Sequence, residues 1–273
     1  MTTFRSALRL ACESARQPLQ WPTTRGVLAG RWASADGVLV HARVSEPAAE
    51  GRPLVFVHGV GVSGRYHLPT PALLAEHNPV YVPDLPGFGL SERPKRLLGL
   101  AALADVLLDW LDAEGIDAPV LVANSVGCQV VVQAAITRPE RIDALVLQGP
   151  TVDSAARSWS GQLARWLASS RHEGFPQLPL MVRDYLDAGI RRTLSTFSLA
   201  LADRPEDKLP ALQQPTLVVR GELDPICSKE WAERVVGLLP NGRSSVLGGV
   251  GHTANFSAPH ALADEIRAFL HPL

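Results

Sequence analysis

The stretch Val122-Ala123-Asn124-Ser125-Val126-Gly127-Cys128 decides how this chain is read. An apolar, β-branched run at 120–122 leads into it, and a helix-like run at 125–137 leads out. A strand that turns at once into a helix leaves no room for side chains two residues before and two residues after the turn, and Ala123 and Gly127 supply that clearance. Such a turn lifts the Ser125 hydroxyl clear of the sheet edge as a nucleophile. The alternative is a serine that merely caps the helix, a task Asn124 could equally perform.

Working outward, residues 54–57, 80–82, 144–147 and 216–219 are also short runs rich in Val and Leu without apolar–polar alternation, the pattern of strands covered on both faces. Helical patterns lie between them. Leu100, Leu103, Ala104, Leu107, Leu108 and Leu111 recur at spacings of three and four and form an apolar stripe that ends near Glu114-Gly115. The helix at 125–137 is closed by Arg138-Pro139, because proline disfavours helical geometry in the residue before it. Strands alternating with helices predict a mostly parallel sheet wrapped on both sides. Upstream, 26–32 and 38–44 flank Ala35-Asp36-Gly37, a hairpin turn, so the sheet begins antiparallel. From 151 to 210 no strand-like run occurs, and helical stretches fall around 159–168, 180–188 and 191–202. An insertion of this length is too long for a loop and reads as a helical subdomain. The expected organisation is an N-terminal arm or short helix over 1–24, a core made of 25–150 and 211–273, and the insertion at 151–210.

With 273 residues and 46% hydrophobic content, the chain can bury a large core. Its 26 Lys+Arg against 27 Asp+Glu leave no basic field to hold nucleic acid. Cys12, Cys128 and Cys227 are scattered and form no Cys-x-x-Cys pair, which argues against a disulfide framework or a structural zinc site and for a reducing, cytoplasmic setting. No apolar run approaches the ~18 residues of a spanning helix.

A serine hydroxyl needs a base to take its proton and a carboxylate to orient that base. Gly221-Glu222-Leu223-Asp224-Pro225 follows the strand at 217–219, and Gly248-Gly-Val-Gly251-His252-Thr253 follows one at 245–247. Asp224 and His252 therefore leave the same sheet end as Ser125, in the order Ser…Asp…His. An acyl-transfer oxyanion also needs backbone donors. His58-Gly59-Val60-Gly61 follows the strand at 54–57 there, so the amides of Val60 and Val126 are the candidates. His58 reads as a loop-holding residue, Asp84 as the stabiliser of the turn Asp84-Leu-Pro-Gly87-Phe-Gly89-Leu-Ser91, and Cys128 as a small packed side chain. Asp153 is the rival acid to Asp224. Gly59 and Asn124 flank the nucleophile and are counted among the substrate-pocket residues. Trp159, Trp166, Phe175, Met181, Tyr185 and Phe197 could line an apolar pocket or pack the insertion on the core. Such a triad requires neither metal nor organic cofactor.

Together these residues carry a family resemblance. The chain resembles the α/β-hydrolases in His-Gly-x-Gly at 58–61, Asp-x-x-Gly-x-Gly-x-Ser at 84–91, the serine elbow at 123–127, Arg-Pro-Glu-Arg at 138–141, Gly-x-x-Asp at 221–224 and Gly-His at 251–252. The resemblance implies an α/β-hydrolase fold, a mostly parallel eight-stranded sheet with helices on both faces, and 151–210 as a helical cap over the active site. Ser125 is unlike the carboxylate nucleophile of dehalogenases and epoxide hydrolases. It is similar to that of esterases, lipase-like enzymes and the hydrolases that cleave carbon–carbon bonds of ring-fission products. Asn124-Ser125 resembles the elbow of the last group, and Arg157, Arg165, Arg171 and Arg183 could bind a substrate carboxylate. Cys128 and Thr253 depart from that group. The expected function is hydrolysis of a small, largely apolar carboxylic ester. Cleavage of a ring-fission dienoate is the alternative, and a non-catalytic receptor or scaffold on the same fold is a third reading, against which the intact Ser125, Asp224 and His252 argue.

Overall fold

The computed structural model describes residues 21–23, 26–45, 50–173 and 177–273, so the expected arm up to residue 20, with Cys12, and the pocket residue Phe175 lie outside the described residues. The strands are β1 (Trp21–Thr23), β2 (Gly26–Ala35), β3 (Val38–Val44), β4 (Leu54–Val57), β5 (Val80–Pro83), β6 (Val120–Asn124), β7 (Ala144–Gln148), β8 (Thr216–Gly221) and β9 (Gly242–Leu247). They form one sheet in the order β1-β2-β3-β5-β4-β6-β7-β8-β9. Pairing is antiparallel from β1 to β2, β2 to β3 and β3 to β5, and parallel from there on. The eight expected strands are β2–β9. The ninth, β1, pairs with β2 at the edge, so the end of the expected arm is extended rather than helical. The turn between β2 and β3 has Asp36 at φ 46° and Gly37 at φ 73°, the paired left-handed conformations of a tight two-residue hairpin.

The helices are α1 (Pro69–Leu74), α2 (Leu100–Ala113), α3 (Gly127–Thr137), α4 (Trp159–Ser169), α5 (Leu178–Ala188), α6 (Ile190–Ala202), α7 (Pro205–Lys208), α8 (Lys229–Leu238), α9 (Ala254–Ser257) and α10 (Pro259–Leu270). β4, β6 and β7 are buried at every position. Alternate residues of these strands face opposite ways. Val55, Val57, Leu121 and Leu147 pack with Leu107, Val131 and Trp231 of α2, α3 and α8. Phe56, Val122 and Val146 pack with Leu262, Ile266 and Phe269 of α10. Between β7 and β8 the described residues form only helices and short 3-10 turns.

One boundary differs from the sequence pattern in a way that matters. The helix expected from residue 125 begins at Gly127, because Ser125 sits at φ 56° and is itself the turn. The parallel registers Val57↔Ala123, Ala123↔Leu147, Gln148↔Val219 and Gly221↔Leu247 bring the carboxyl ends of β4, β6, β7, β8 and β9 to one edge. Ligand sites of open α/β sheets form at such an edge.

Candidate active site

The turn at Ser125 is tight enough to bring α3 onto β4. A β-carbon at Gly127 would lie 2.6 Å from the carbonyl oxygens of both Val57 and His58, so any side chain there would separate the helix from the strand. The elbow is pinned from the next strand, since the Ser125 N–H donates to the Gln148 carbonyl at 3.1 Å. The serine is half-buried, and its hydroxyl has no hydrogen-bond partner among the described residues.

Asp224 and His252 meet because the loops that carry them are zipped together. Glu222 N–H donates to the Leu247 carbonyl at 2.8 Å and Leu223 N–H to the Val250 carbonyl at 2.9 Å. Asp224 is buried, and its Oδ1 accepts the N–H groups of Ile226 at 2.8 Å and Cys227 at 3.0 Å. That leaves Oδ2 for His252 Nδ1, 2.7 Å away. The carboxylate thereby fixes the imidazole as the Nδ1–H tautomer and leaves Nε2 with its lone pair; Nε2 is buried with no hydrogen-bond partner among the described residues. Burial opposes the cationic imidazole, but attraction to Asp224, with a lesser contribution from Glu173, carries its pKa above the ordinary value of 6.5. The pair fits only because residue 149 lacks a side chain: a β-carbon on Gly149 would lie 2.9 Å from His252 Cε1 and Nδ1, and the residue has φ 55°.

Two backbone N–H groups beside the serine have no acceptor. Among the described residues, neither the Val60 nor the Val126 N–H is taken by an acceptor. Val126 also precedes the first turn of α3, whose amide dipoles favour negative charge. Gly59 lies against the serine, where a β-carbon would be 3.1 Å from Ser125 Cβ. His58 is occupied: its Nδ1 meets the Gly59 carbonyl at 2.8 Å and its Nε2 accepts the Leu85 N–H at 2.9 Å. Burial lowers its pKa, so the ring is neutral. Asp84 binds Gly64 N–H, Leu90 N–H, Arg43 and His41 in the core beneath the loops.

Asp153 is also committed elsewhere, to Ser228 Oγ at 2.6 Å, Ala155 N–H at 2.8 Å and Arg165. Cys128 is buried behind the elbow, and burial pushes its thiol far above the usual range. Asn124 departs from the pocket role expected of it. It is 2% exposed, its Oδ1 accepts the Tyr66 hydroxyl, and its Nδ2 reaches Gln148 Oε1 and the His252 carbonyl, the latter at 3.3 Å. Trp159 packs edge-on against Phe197 at 4.9 Å, joining α4 to α6, and remains 46% exposed. Tyr185 lies over the Val60 loop, where a β-carbon on Gly61 would collide with its ring. Three of the four arginines expected to bind a carboxylate are already paired, Arg157 with Glu206, Arg165 with Asp153 and Arg183 with Asp187. Arg171 is exposed.

Sequence reasoning passed over Gln148, Gly149 and Glu173. Gln148 donates to the His252 carbonyl at 2.7 Å. The signal for the first two was present, since Gln148-Gly149 ends a buried apolar run as Asn124-Ser125 ends another. Among the described residues no three His, Cys, Asp or Glu side chains group as metal ligands would, and no helix is long and apolar enough to cross a membrane.

The alpha/beta hydrolase family model matches residues 54–265. Esterase YbfF of Escherichia coli K12 is 26% identical over 251 residues, covering 85% of this chain and 98% of its own. The 2-hydroxymuconate semialdehyde hydrolase of Pseudomonas putida is 29% identical over 248 residues, covering 81% and 88%. The crystal structure of carboxylesterase CesB from Bacillus subtilis superposes with a TM-score of 0.75 at 19% identity, covering 98% of this chain and 99% of that one.

Proposed function

The chain belongs to the alpha/beta hydrolase family and is a carboxylesterase-like enzyme, and on that premise we propose that it hydrolyses a small, largely apolar carboxylic ester through an acyl-enzyme. The observation that carries the reading is the 2.7 Å contact of Asp224 with His252 Nδ1, which leaves Nε2 without a partner among the described residues, in the same loop cluster as Ser125. His252 takes the Ser125 proton at Nε2 as the oxygen attacks the ester carbonyl, and Asp224 holds the tautomer and stabilises the imidazolium. The Val60 and Val126 N–H groups receive the oxyanion. His252 returns the proton to the leaving alcohol, and water then repeats the sequence to free the acid. Residues 151–210 act as the cap, and Tyr185 and Trp166 give the acyl group an apolar wall. A reducing, cytoplasmic setting belongs to the same reading, supported by the buried free thiols of Cys128 and Cys227.

The test is a panel of nitrophenyl esters of increasing acyl length with Ser125→Ala as control. Turnover should vanish in the variant while the fold is retained, and substantial residual activity overturns the assignment. Carbon–carbon cleavage of a ring-fission dienoate is the second reading, favoured by the similarity to the Pseudomonas putida hydrolase. The pairing of Arg157, Arg165 and Arg183 with carboxylates of their own weakens it. A dienoate in the same panel separates the two. A non-catalytic role would follow if a fluorophosphonate failed to label Ser125 in the folded protein.

A further inference from the structure

One carboxylate outside the Ser125, Asp224 and His252 set accepts from five donors, three of them in the loop of the base. Glu173 stands in the segment after α4. Its Oε1 accepts the His252 N–H at 2.7 Å, the Thr253 N–H at 3.2 Å and the Ser169 hydroxyl at 3.0 Å. Its Oε2 accepts the Thr253 hydroxyl and Gln177 Nε2, the latter at 3.0 Å. The approach is close enough that a β-carbon on Gly251 would lie 2.9 Å from Oε1. The His252 peptide is thus held on both sides, its carbonyl by Gln148 from the sheet and its N–H by Glu173 from the 151–210 segment.

We propose that Glu173 is a positioning residue for the hydrolytic reaction: by gripping the amides of His252 and Thr253 it makes presentation of the base depend on the seating of the 151–210 segment. The inference rests on the reading of His252 as the general base. Charge-assisted bonds from a carboxylate to two successive amides are strong and directional, and displacing a catalytic group by about 1 Å costs on the order of 10²-fold in rate. The charged groups that face the imidazole are Asp224, from the loop after β8, and Glu173 itself, so removing the Glu173 charge also moves the protonation of His252.

Glu173→Ala and Glu173→Gln are compared with wild type in nitrophenyl acetate hydrolysis between pH 5 and 9, with thermal melts of each. Glu173→Ala should lower kcat roughly 10- to 100-fold with KM within about twofold. Glu173→Gln, which keeps an acceptor for both amides, should recover most of kcat while the acid limb of its kcat/KM profile moves to lower pH, because loss of the negative charge makes the imidazolium less favourable. Wild-type kcat and an unmoved acid limb in both variants would overturn the proposal, as would a Glu173→Gln limb that does not move, which remains decisive if Glu173→Ala fails to fold. A His252→Ala control separates the two levels of inference. If it retains activity, the assignment of the base is wrong, whereas an inactive His252→Ala beside unaffected Glu173 variants refutes only the role of Glu173.

Discussion

At Ser125 the chain adopts a left-handed backbone at the end of a buried strand, and at His252 a carboxylate fixes which ring nitrogen keeps its lone pair. The second feature sets a pH dependence. The pKa of His252 lies above 6.5, so the neutral base is lost as pH falls, and kcat/KM for an ester should drop on the acid side with a midpoint above that value. A pH–rate profile under kcat/KM conditions checks this, and a midpoint below 6 would contradict it. The same raised pKa means that the folded state holds this proton more tightly than the unfolded chain. Its contribution to stability is fully present below 6.5 and is lost as pH rises through the folded value. Much of this was legible in the sequence, because a small residue two before and a glycine two after a serine is a local steric requirement. The orientation of Asn124 was not legible: its amide turns inward to Tyr66, Gln148 and the His252 carbonyl, all distant in sequence.

At the level of elements, the acid could have come from the end of β7 or of β8. The loop after β8 is zipped to the loop after β9 and delivers Asp224 to His252, whereas Asp153, beyond β7, anchors Arg165 of α4 and Ser228 ahead of α8. Asp224→Asn is therefore expected to lower kcat by about 10³- to 10⁴-fold by favouring the wrong tautomer. Asp153→Asn should leave kcat within several-fold and lower stability by about 1–2 kcal/mol, since it weakens a charged bond to Arg165. Steady-state kinetics and urea titrations on both variants check the contrast, and comparable losses of kcat in the two would refute it. The central strands β4, β6 and β7 were readable because strands covered on both faces are apolar at every position up to their last residue. The start of α3 was misplaced by two residues because the residue at the turn has a side chain that helices also accept.

Across the whole molecule, the 151–210 segment grips the sheet loops on two sides of Ser125. Glu173 holds the His252 loop, and Asp184 of α5 accepts the Ser63 N–H at 2.9 Å, the Ser63 hydroxyl at 2.8 Å and Arg65 at 3.0 Å, just beyond the Val60 loop. Arg65 is buried. Asp184→Ala should therefore cost about 3 kcal/mol by leaving that cation undercompensated. Hydrogen exchange should quicken in α5 and α6 before it does in β4 or β6, and uniform quickening would argue against a local seat. None of this was legible in the sequence, because it depends on how helices 159–202 fold back over loops a hundred residues away.

A non-glycine residue at φ 56° costs about 1–2 kcal/mol, more than the roughly 0.5–1 kcal/mol of extra chain entropy that glycine loses on folding, and the Ser125 hydroxyl has no bond to forfeit. Ser125→Gly should therefore melt at or slightly above wild type in calorimetry while being inert towards esters, and a clearly lower melting temperature would show the turn to be relaxed. Durability and reactivity would then be in conflict at this one residue, since the substitution that relaxes the turn also removes the hydroxyl.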